Sequence, residues 1–464
     1  MPVSPDREVS APSDSLNRAL DVLAQPVSRP LGWLWARGFR FLMVIDVIVL
    51  FSTMTVINVV RFGSNWPTYP LSHYWVGFAI STGIHLAVNY FSGLYEREPR
   101  LGSRPWLPRV SLAMGISVAF DGLAAVLFDR YLMPRLNLGV LLVVGSLLLT
   151  GTRQISRTLS RRRRGPSRVV LVGSAIERNR ARPYLGAATG AAIVAGEAES
   201  MDDVLCLVQQ VQASDVLLLD LEAFTTGFPE PLTSLHLLGV GVHQRVSAAE
   251  TLLGLSAVRE VGGIPFTRLR LHALAPHQLR LKRIFDLTLV MATTPIWLPV
   301  VALLALCSRV VAGPGVLFRQ TRVGQFGKHF TIVKFRTMVH NAERLSGPVL
   351  AAANDARVVP ALRWLRTSRL DELPQLFNVV RGSMSLVGPR PERPEFVEQL
   401  RSQIPGYDRR HQLPPGITGL AQTRGRYDTD AAHKLGYDLQ YIVNWSVVLD
   451  ASVIARSLDS FTQK

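Results

Sequence analysis

The stretch RLKRIFDLTLVMATTPIWLPVVALLALCSRVVAGPG, residues 280–315, carries no charge between Leu287 and Ser308. Length alone permits a membrane-spanning helix, since about 20 apolar residues cross the hydrocarbon core. Its flanks argue otherwise. Arg280, Lys282 and Arg283 stand before it and Arg309, Arg319 and Arg322 after it, so both ends carry the basic signature of the cytoplasmic side. Pro295 and Pro299 sit in its middle, where each removes a backbone donor and crowds the preceding turn. Together these facts predict a re-entrant helix over about 284–310 that enters the membrane, bends near Thr294-Pro295 and returns. A kinked span with an external C-terminal domain is the alternative.

Working toward the N-terminus, the chain's formal charge of +17 requires an acidic partner: nucleic acid, an anionic leaflet or a phosphorylated substrate. Hydropathy selects the membrane. Apolar stretches at about 39–60, 72–94, 107–128 and 136–152 predict a four-helix transmembrane region within 36–155. Arg37 and Arg40 precede the first helix, Arg97, Arg100, Arg104 and Arg109 separate the second from the third, and Arg153, Arg157 and Arg161 to Arg164 follow the fourth. The other loops hold only Arg61, Arg130 and Arg135, so both ends of the bundle are expected in the cytoplasm. The RRRR run, directly after a membrane helix, reads as an interfacial anchor more readily than as a nucleic-acid patch, and no nucleic-acid partner is expected. Residues 1–35 read as a disordered cytoplasmic tail without a signal peptide's apolar core. Cys206 and Cys307 are isolated, which offers neither a disulfide framework nor a thiolate metal site.

Between 166 and 265, β-branched runs such as SRVVLVGSA and SDVLLLDLE alternate with helical stretches, predicting a cytoplasmic Rossmann-like α/β domain. Gly173-Ser174-Ala175 ends the first run, but a dinucleotide fingerprint needs three glycines and only one is present. A structural or regulatory domain is therefore expected in place of a working NAD site.

Residues 280–464 are read as an α/β domain lying on the membrane. In SRLDELPQLFNVVRG, Asp371 reads as a helix N-cap, Pro374 as a first-turn residue, Leu373, Leu376, Phe377 and Val380 as one apolar face, and Gly382 as the stop. Taken alone, Asp371 and Glu372 are an ordinary helix opening. Their company changes the reading, because Arg366, Lys334, Arg336 and Arg390 lie in neighbouring polar segments. A carboxylate can serve as a nucleophile where a metal and arginines neutralise the phosphates it approaches, and that pattern points to phosphoryl transfer.

The motifs KRIFDL, GPGVLFRQTRVGQFGKHFTIVKFRTM, NDAR, LRTSRLDELPQLFNVVRGSMSLVGPRPE, PPGITGLAQ and YDLQYIVNWSVVLD, in this order, resemble the bacterial polyprenyl-phosphate hexose-1-phosphate transferases, the monotopic phosphoglycosyl transferases. The resemblance covers about residues 280–464, and the preceding regions resemble the long-form members that prime exopolysaccharide or O-antigen synthesis. It implies a membrane-embedded catalytic domain at the cytoplasmic face of the bacterial inner membrane. Asp371 matches the nucleophile that attacks a UDP-sugar, releasing UMP and leaving an aspartyl phospho-sugar that undecaprenyl phosphate then takes up. Glu372 matches the Mg²⁺-holding acid. Arg366 and Arg390, the latter between Pro389 and Pro391, match substrate phosphate or nucleotide contacts, with Lys334 and Arg336 as further participants. A homodimer is a further expectation. Thr294-Pro295 stands where the family usually has Ser-Pro, Ser383 where an acid is common, and Ala421 where Trp is frequent.

The alternatives are a non-catalytic scaffold recruiting later glycosyltransferases and a nucleotide-dependent dehydratase centred on the middle domain. His411 and His433 lack ligand spacing, and GRYDTD at 425–430 lacks an EF-hand pattern. Asp438 is read as a support of the site or a helix-surface residue, and Tyr441 and Trp445 as interfacial rim or core.

Overall fold

The computed structural model describes residues 39–67, 70–96, 101, 105–127, 133–187, 192–251, 258–271, 274–339, 355, 357–425 and 430–462. The 1–35 tail, Arg97, Arg100, Arg104, Arg130 and most of GRYDTD lie outside the described residues. The chain divides into two compact units, Met1–Gly165 and Pro166–Lys464.

In the first unit the helices are α1 (Phe39–Phe62), α2 (Leu71–Phe91), α3 (Trp106–Leu127) and α4 (Arg135–Arg164). Their shared core is Leu50, Met54, Phe78, Val110, Met114, Leu141 and Leu149, all buried, while Val60, Leu112, Val126 and Leu147 point outward with more than half of their surface exposed. Apolar side chains on both the inside and the outside are what a hydrocarbon solvent selects. Among the described residues, four helical stretches are long and apolar enough to cross a membrane: Phe41–Asn65, Trp106–Leu127, Arg135–Ser160 and Pro276–Ala312. Helix α2 is not among them, and Ser81, Thr82, His85 and Asn89 on it are buried.

One expectation needs correction. Arg153 does not flank the fourth helix; α4 continues to Arg164, and Arg153 is buried within it, donating from both terminal nitrogens to Asp46 of α1. Tyr95 donates to the same carboxylate at 2.8 Å. A charge paired with an acid inside an apolar helix need not mark the helix end.

The second unit opens with a six-stranded sheet in the order β2-β1-β3-β4-β6-β5. The parallel part is β1 (Ser167–Val172), β2 (Ala192–Ala198), β3 (Asp215–Leu218) and β4 (Gly241–Arg245); β5 (Val258–Val261) and β6 (Ile264–Arg268) add antiparallel on the β4 side. Helices α5 (Ala175–Ala187), α6 (Val204–Gln210), α7 (Leu221–Thr226) and α8 (Leu232–Leu237) connect the strands. Val170, Val172, Val216, Leu218 and Val242 form its core, the near-continuous apolar run of strands covered on both faces. Where the strand order reverses, between β1 and β3, Gly173 adopts φ +145 and Asp220 accepts hydrogen bonds from Ser174 N and Ala223 N, each at 3.0 Å. A carboxylate of the chain thus takes amides at the place where such sheets usually bind phosphate.

Helix α9 (Pro276–Ala312) runs without interruption through Pro295 and Pro299. Thr294 Oγ1 and Trp297 Nε1 both donate to Val290 O, at 2.9 and 3.0 Å, supplying the hydrogen bonding that prolines disturb. One side of α9 is covered along its length by the rest of this unit. Lys282 Nζ bonds Asp450 Oδ2 at 2.8 Å and Tyr441 OH at 2.9 Å, Asp286 accepts from Ser385 Oγ and Leu386 N, Val290 and Trp297 pack on Ile332, Val379 and Met384, and Leu304 packs on Phe335 and Leu365. Lys282, expected as a basic flank, is therefore an interior residue. Ile284, Met291, Ile296, Leu303, Leu306 and Val310 remain 49–78% exposed. That continuous apolar stripe is far more than a water-facing helix carries.

Candidate active site

A hairpin, β7 (Leu317–Val323) and β8 (His329–Phe335), sets the first cation. Its register pairs Phe318 with Lys334 and Gln320 with Ile332, so Gln320, Arg322 and Lys334 share one face. After helix α10 (Arg363–Thr367) the chain enters a 3₁₀ turn, Leu370–Gln375, followed by α11 (Leu376–Arg381).

The structure corrects the N-cap reading of Asp371. The position before the turn is Arg369, in the left-handed region at φ +53, while Asp371 lies inside the turn and is only 8% exposed. Pro374 has no N–H to give an α-helix, and the turn closes instead by Glu372 N donating to Arg369 O at 3.0 Å. A non-glycine residue held at positive φ stores strain, and such strain gathers at functional sites. Gly382 does end α11, at φ +88. The apolar face is redistributed: Val379 is buried, whereas Phe377 and Val380 stay 40% exposed, Phe377 edge-on to Trp297 at 5.3 Å.

Glu372 Oε1 receives Lys334 Nζ at 2.6 Å and Arg390 Nη2 at 3.2 Å, so both cations fall on one oxygen. Burial opposes the charge of Glu372, but Arg390 and Lys334 outweigh it and hold the carboxyl down at about 2. Asp371 goes the other way. Burial, and then the negative charge of Glu372, raise it to about 6 against the pull of Lys334, Arg366 and Arg390. Burial lowers Lys334, with Glu372 opposing, and Glu372 raises Arg390. Two adjacent carboxyls pushed apart in this way are a recurring mark of acid–base or nucleophilic sites.

Of the expected residues, Asp371, Glu372, Lys334 and Arg390 come together, and the half-buried Arg366 lies near enough for its charge to lower Asp371. Arg336 points elsewhere: its guanidinium donates to Ala312 O at the end of α9. Pro389 and Pro391 are buried and act through their carbonyls, which accept from Gly416 N and Arg322 Nη1. Arg322 was missed as a neighbour of the site. Arg322 also pairs with Glu392 at 3.7 Å, and burial, chiefly, lowers it. The two-residue alternation of FRQTRVG against FTIVKF was the signal for Arg322. Asp438 is no surface residue: it is 2% exposed and pairs with Arg410 at 2.8 Å. His411 is buried, and burial and Arg410 push it down to about 4. Tyr441 and Trp445 are core, both donating to Asp450.

Among the described residues no three His, Cys, Asp or Glu side chains converge to hold a metal. Magnesium does not require that, since it commonly takes one or two carboxylates with waters and substrate phosphates. Glu372, with its cations confined to Oε1, and its neighbour Asp371 fit such a partial shell.

Residues 277–464 match the family described as bacterial sugar transferase. The chain is 39% identical over 206 residues to a UDP-glucose:undecaprenyl-phosphate glucose-1-phosphate transferase of Klebsiella pneumoniae, covering 43% of this chain and 44% of that one. It is 38% identical over 181 residues to a UDP-N-acetylgalactosamine-undecaprenyl-phosphate N-acetylgalactosaminephosphotransferase of Aeromonas hydrophila, covering 38% of this chain and 43% of that one. A Caulobacter vibrioides UDP-glucose:undecaprenyl-phosphate glucose-1-phosphate transferase is 41% identical over 186 residues, 39% of this chain and 68% of the relative. The chain thus spans less than half the length of the first two and about two thirds of the third. With this identity and coverage over the residues that build the acidic pair and its cations, the chain belongs to the bacterial sugar transferase family.

Proposed function

We propose that this chain transfers a sugar 1-phosphate from a UDP-sugar to undecaprenyl phosphate, as the names of its relatives state for them. The observation that carries the proposal is the buried Asp371 beside a Glu372 already neutralised by Lys334 and Arg390. Asp371, ionised, attacks the sugar-bearing phosphorus; the bond to the UMP oxygen breaks and UMP leaves with that electron pair. An oxygen of the lipid phosphate then attacks the same phosphorus and releases the Asp371 carboxylate. Arg390 and Arg366 hold the phosphates, and Lys334 keeps Glu372 ionised and in place. Glu372 and Asp371 would hold Mg²⁺, whose chemistry is to neutralise the diphosphate. Because each half-reaction presents a phosphate to Asp371 in turn, one anion pocket serves both.

The exposed stripe of α9, with Phe377 and Val380 beside it, supports a re-entrant helix seated in the cytoplasmic leaflet of the inner membrane, since one side of α9 is covered throughout by the same folded unit. The sheet at 167–268 is read as Rossmann-like, and the full assembly as a homodimer. The relatives' donors carry glucose in one case and N-acetylgalactosamine in the other, sugars that differ at C2 and in the configuration at C4, so the sugar is left to experiment. UMP release from a panel of UDP-sugars, by the full chain in lipid discs with Mg²⁺ and undecaprenyl phosphate, tests the reading. Release with one donor, abolished by Asp371→Asn, supports it; no release from any donor overturns it.

A further inference from the structure

Arg390 sits between two prolines, which give the segment no N–H at either side for a strand ladder. Its backbone is held through carbonyls instead. Four successive ones each accept a hydrogen bond at 3.0 Å from a different place: Pro389 O from Gly416 N, Arg390 O from Arg410 Nη2, Pro391 O from Arg322 Nη1 and Glu392 O from Val323 N. Gly388 is part of this close approach, since a Cβ there would stand 2.5 Å from Pro414 O.

Arg410 is the donor whose own support leads furthest. It is buried, pairs with Asp438 at 2.8 Å and donates to Tyr407 OH. The turn that carries it, Tyr407–Gln412, rests on the α/β domain. Gly406, at φ +73, lies so close to Phe228 that a Cβ would meet its ring at 2.6 Å. Arg409 stacks on the same ring at 5.3 Å and donates to Thr233 Oγ1 at 3.4 Å. The helix bearing Asp438, Ala431–Asn444, is tied to the α/β domain as well, by Arg270 donating to Val443 O at 2.8 Å. Both supports of Arg410 therefore touch the α/β domain.

We propose that the α/β domain braces the site: Phe228 seats the Gly406–Arg409 turn, and through Arg410 that turn fixes the backbone from which Arg390 reaches its phosphate. Arg410 is a positioning residue, and the domain's contribution is mechanical. The inference rests on Arg390 being a phosphate contact in the proposed reaction. It gives the α/β domain a role that needs no ligand in its own crevice, where Asp220 already takes the amides.

The test is a double-mutant cycle between Phe228 and Arg390 in the full chain in lipid discs, read by the dissociation constant for UDP and by kcat/KM for UMP release. Phe228→Ala should weaken UDP binding by roughly three- to tenfold when Arg390 is present and by less than about twofold in an Arg390→Gln background. Arg409→Gln, which removes the ring's other partner, should show the same dependence and guards against a folding defect in Phe228→Ala. Arg410→Gln should weaken UDP binding by more than either, again only where Arg390 is intact. Equal losses with and without Arg390, or UDP affinity unchanged in all variants, overturn the brace. UDP binding that follows the cycle without UMP release from any donor would sustain the brace while removing the reaction.

Discussion

The bundle and the candidate site each hold a carboxylate against arginine, and the two differ in what water can reach. Asp46 and Arg153 have side chains 0% and 1% exposed, one acid matched to one cation through both guanidinium nitrogens. At the site, Glu372 is 12% exposed, Lys334 18% and Arg390 41%, and two cations converge on one oxygen while the neighbouring Asp371 makes no salt bridge among the described residues. A sealed, balanced pair serves the fold; an open cluster with cationic surplus around a reluctant acid is built to receive further negative charge.

The largest effect should come from Asp371→Asn. Removing the nucleophile of the proposed reaction should cost activity by about a thousandfold or more, with no rescue by raising either substrate. Stability should move the opposite way. A carboxyl whose folded value, about 6, lies above its ordinary 3.8 costs folding energy at every pH above that ordinary value. The amide should therefore raise unfolding stability at pH 7.5 by ~1–3 kcal/mol. A less stable Asp371→Asn would mean that the acid serves the fold and would undo the contrast with Asp46.

Asp46→Asn should do the reverse. Stranding Arg153 without its acid ought to lower stability by ~3–5 kcal/mol, read by unfolding in detergent, whereas Asp46→Leu with Arg153→Met should recover much of that loss. Site activity per folded molecule should change little. A single variant as stable as the parent would show the bundle pair to be as open as the site's.

This second pair also shows where sequence reading ends. The apolar runs, the β-branched strands, the stop at Gly382 and the acidic pair all follow from local period and residue type, whereas Lys334 and Arg390 entered as cations of neighbouring segments whose roles the family resemblance implied. Arg153 looked like a helix flank because its partner is 107 residues away and no local pattern announces it. Asp371 looked like a cap because Asp before a helix is a common local pattern; only the fold places Arg369 at positive φ and delays the helix until after Pro374. Lys282, Arg322 and Arg410 were hidden for the same reason, since each is defined by a partner brought in from another element.

A third effect is one of pH. In the proposed reaction the ionised Asp371 is the active form, and its raised value means that it is protonated as pH falls through about 6. The single-turnover rate of UMP release should be half-maximal near that pH and decline about tenfold per unit below it. Glu372, held at about 2, stays ionised throughout and adds no second acid limb. A rate independent of pH between 5 and 8 would place Asp371 with the sealed acids.

Arg336 offers the smallest effect and the finest distinction between the two kinds of cation. The family resemblance assigns it to substrate, yet its guanidinium donates to Ala312 O and so closes the last turn of α9. If that bond is its main work, Arg336→Gln should lower stability by ~0.5–1.5 kcal/mol and leave kcat/KM within about threefold of the parent, because an uncharged amide can still donate to a carbonyl. A hundredfold loss of kcat/KM at unchanged stability would return Arg336 to the open cluster, with the helix end as only its resting partner. The outcome turns on charge alone, so Arg336→Lys separates the cases further: it restores activity if a cation is needed and does nothing more than the glutamine if a donor suffices.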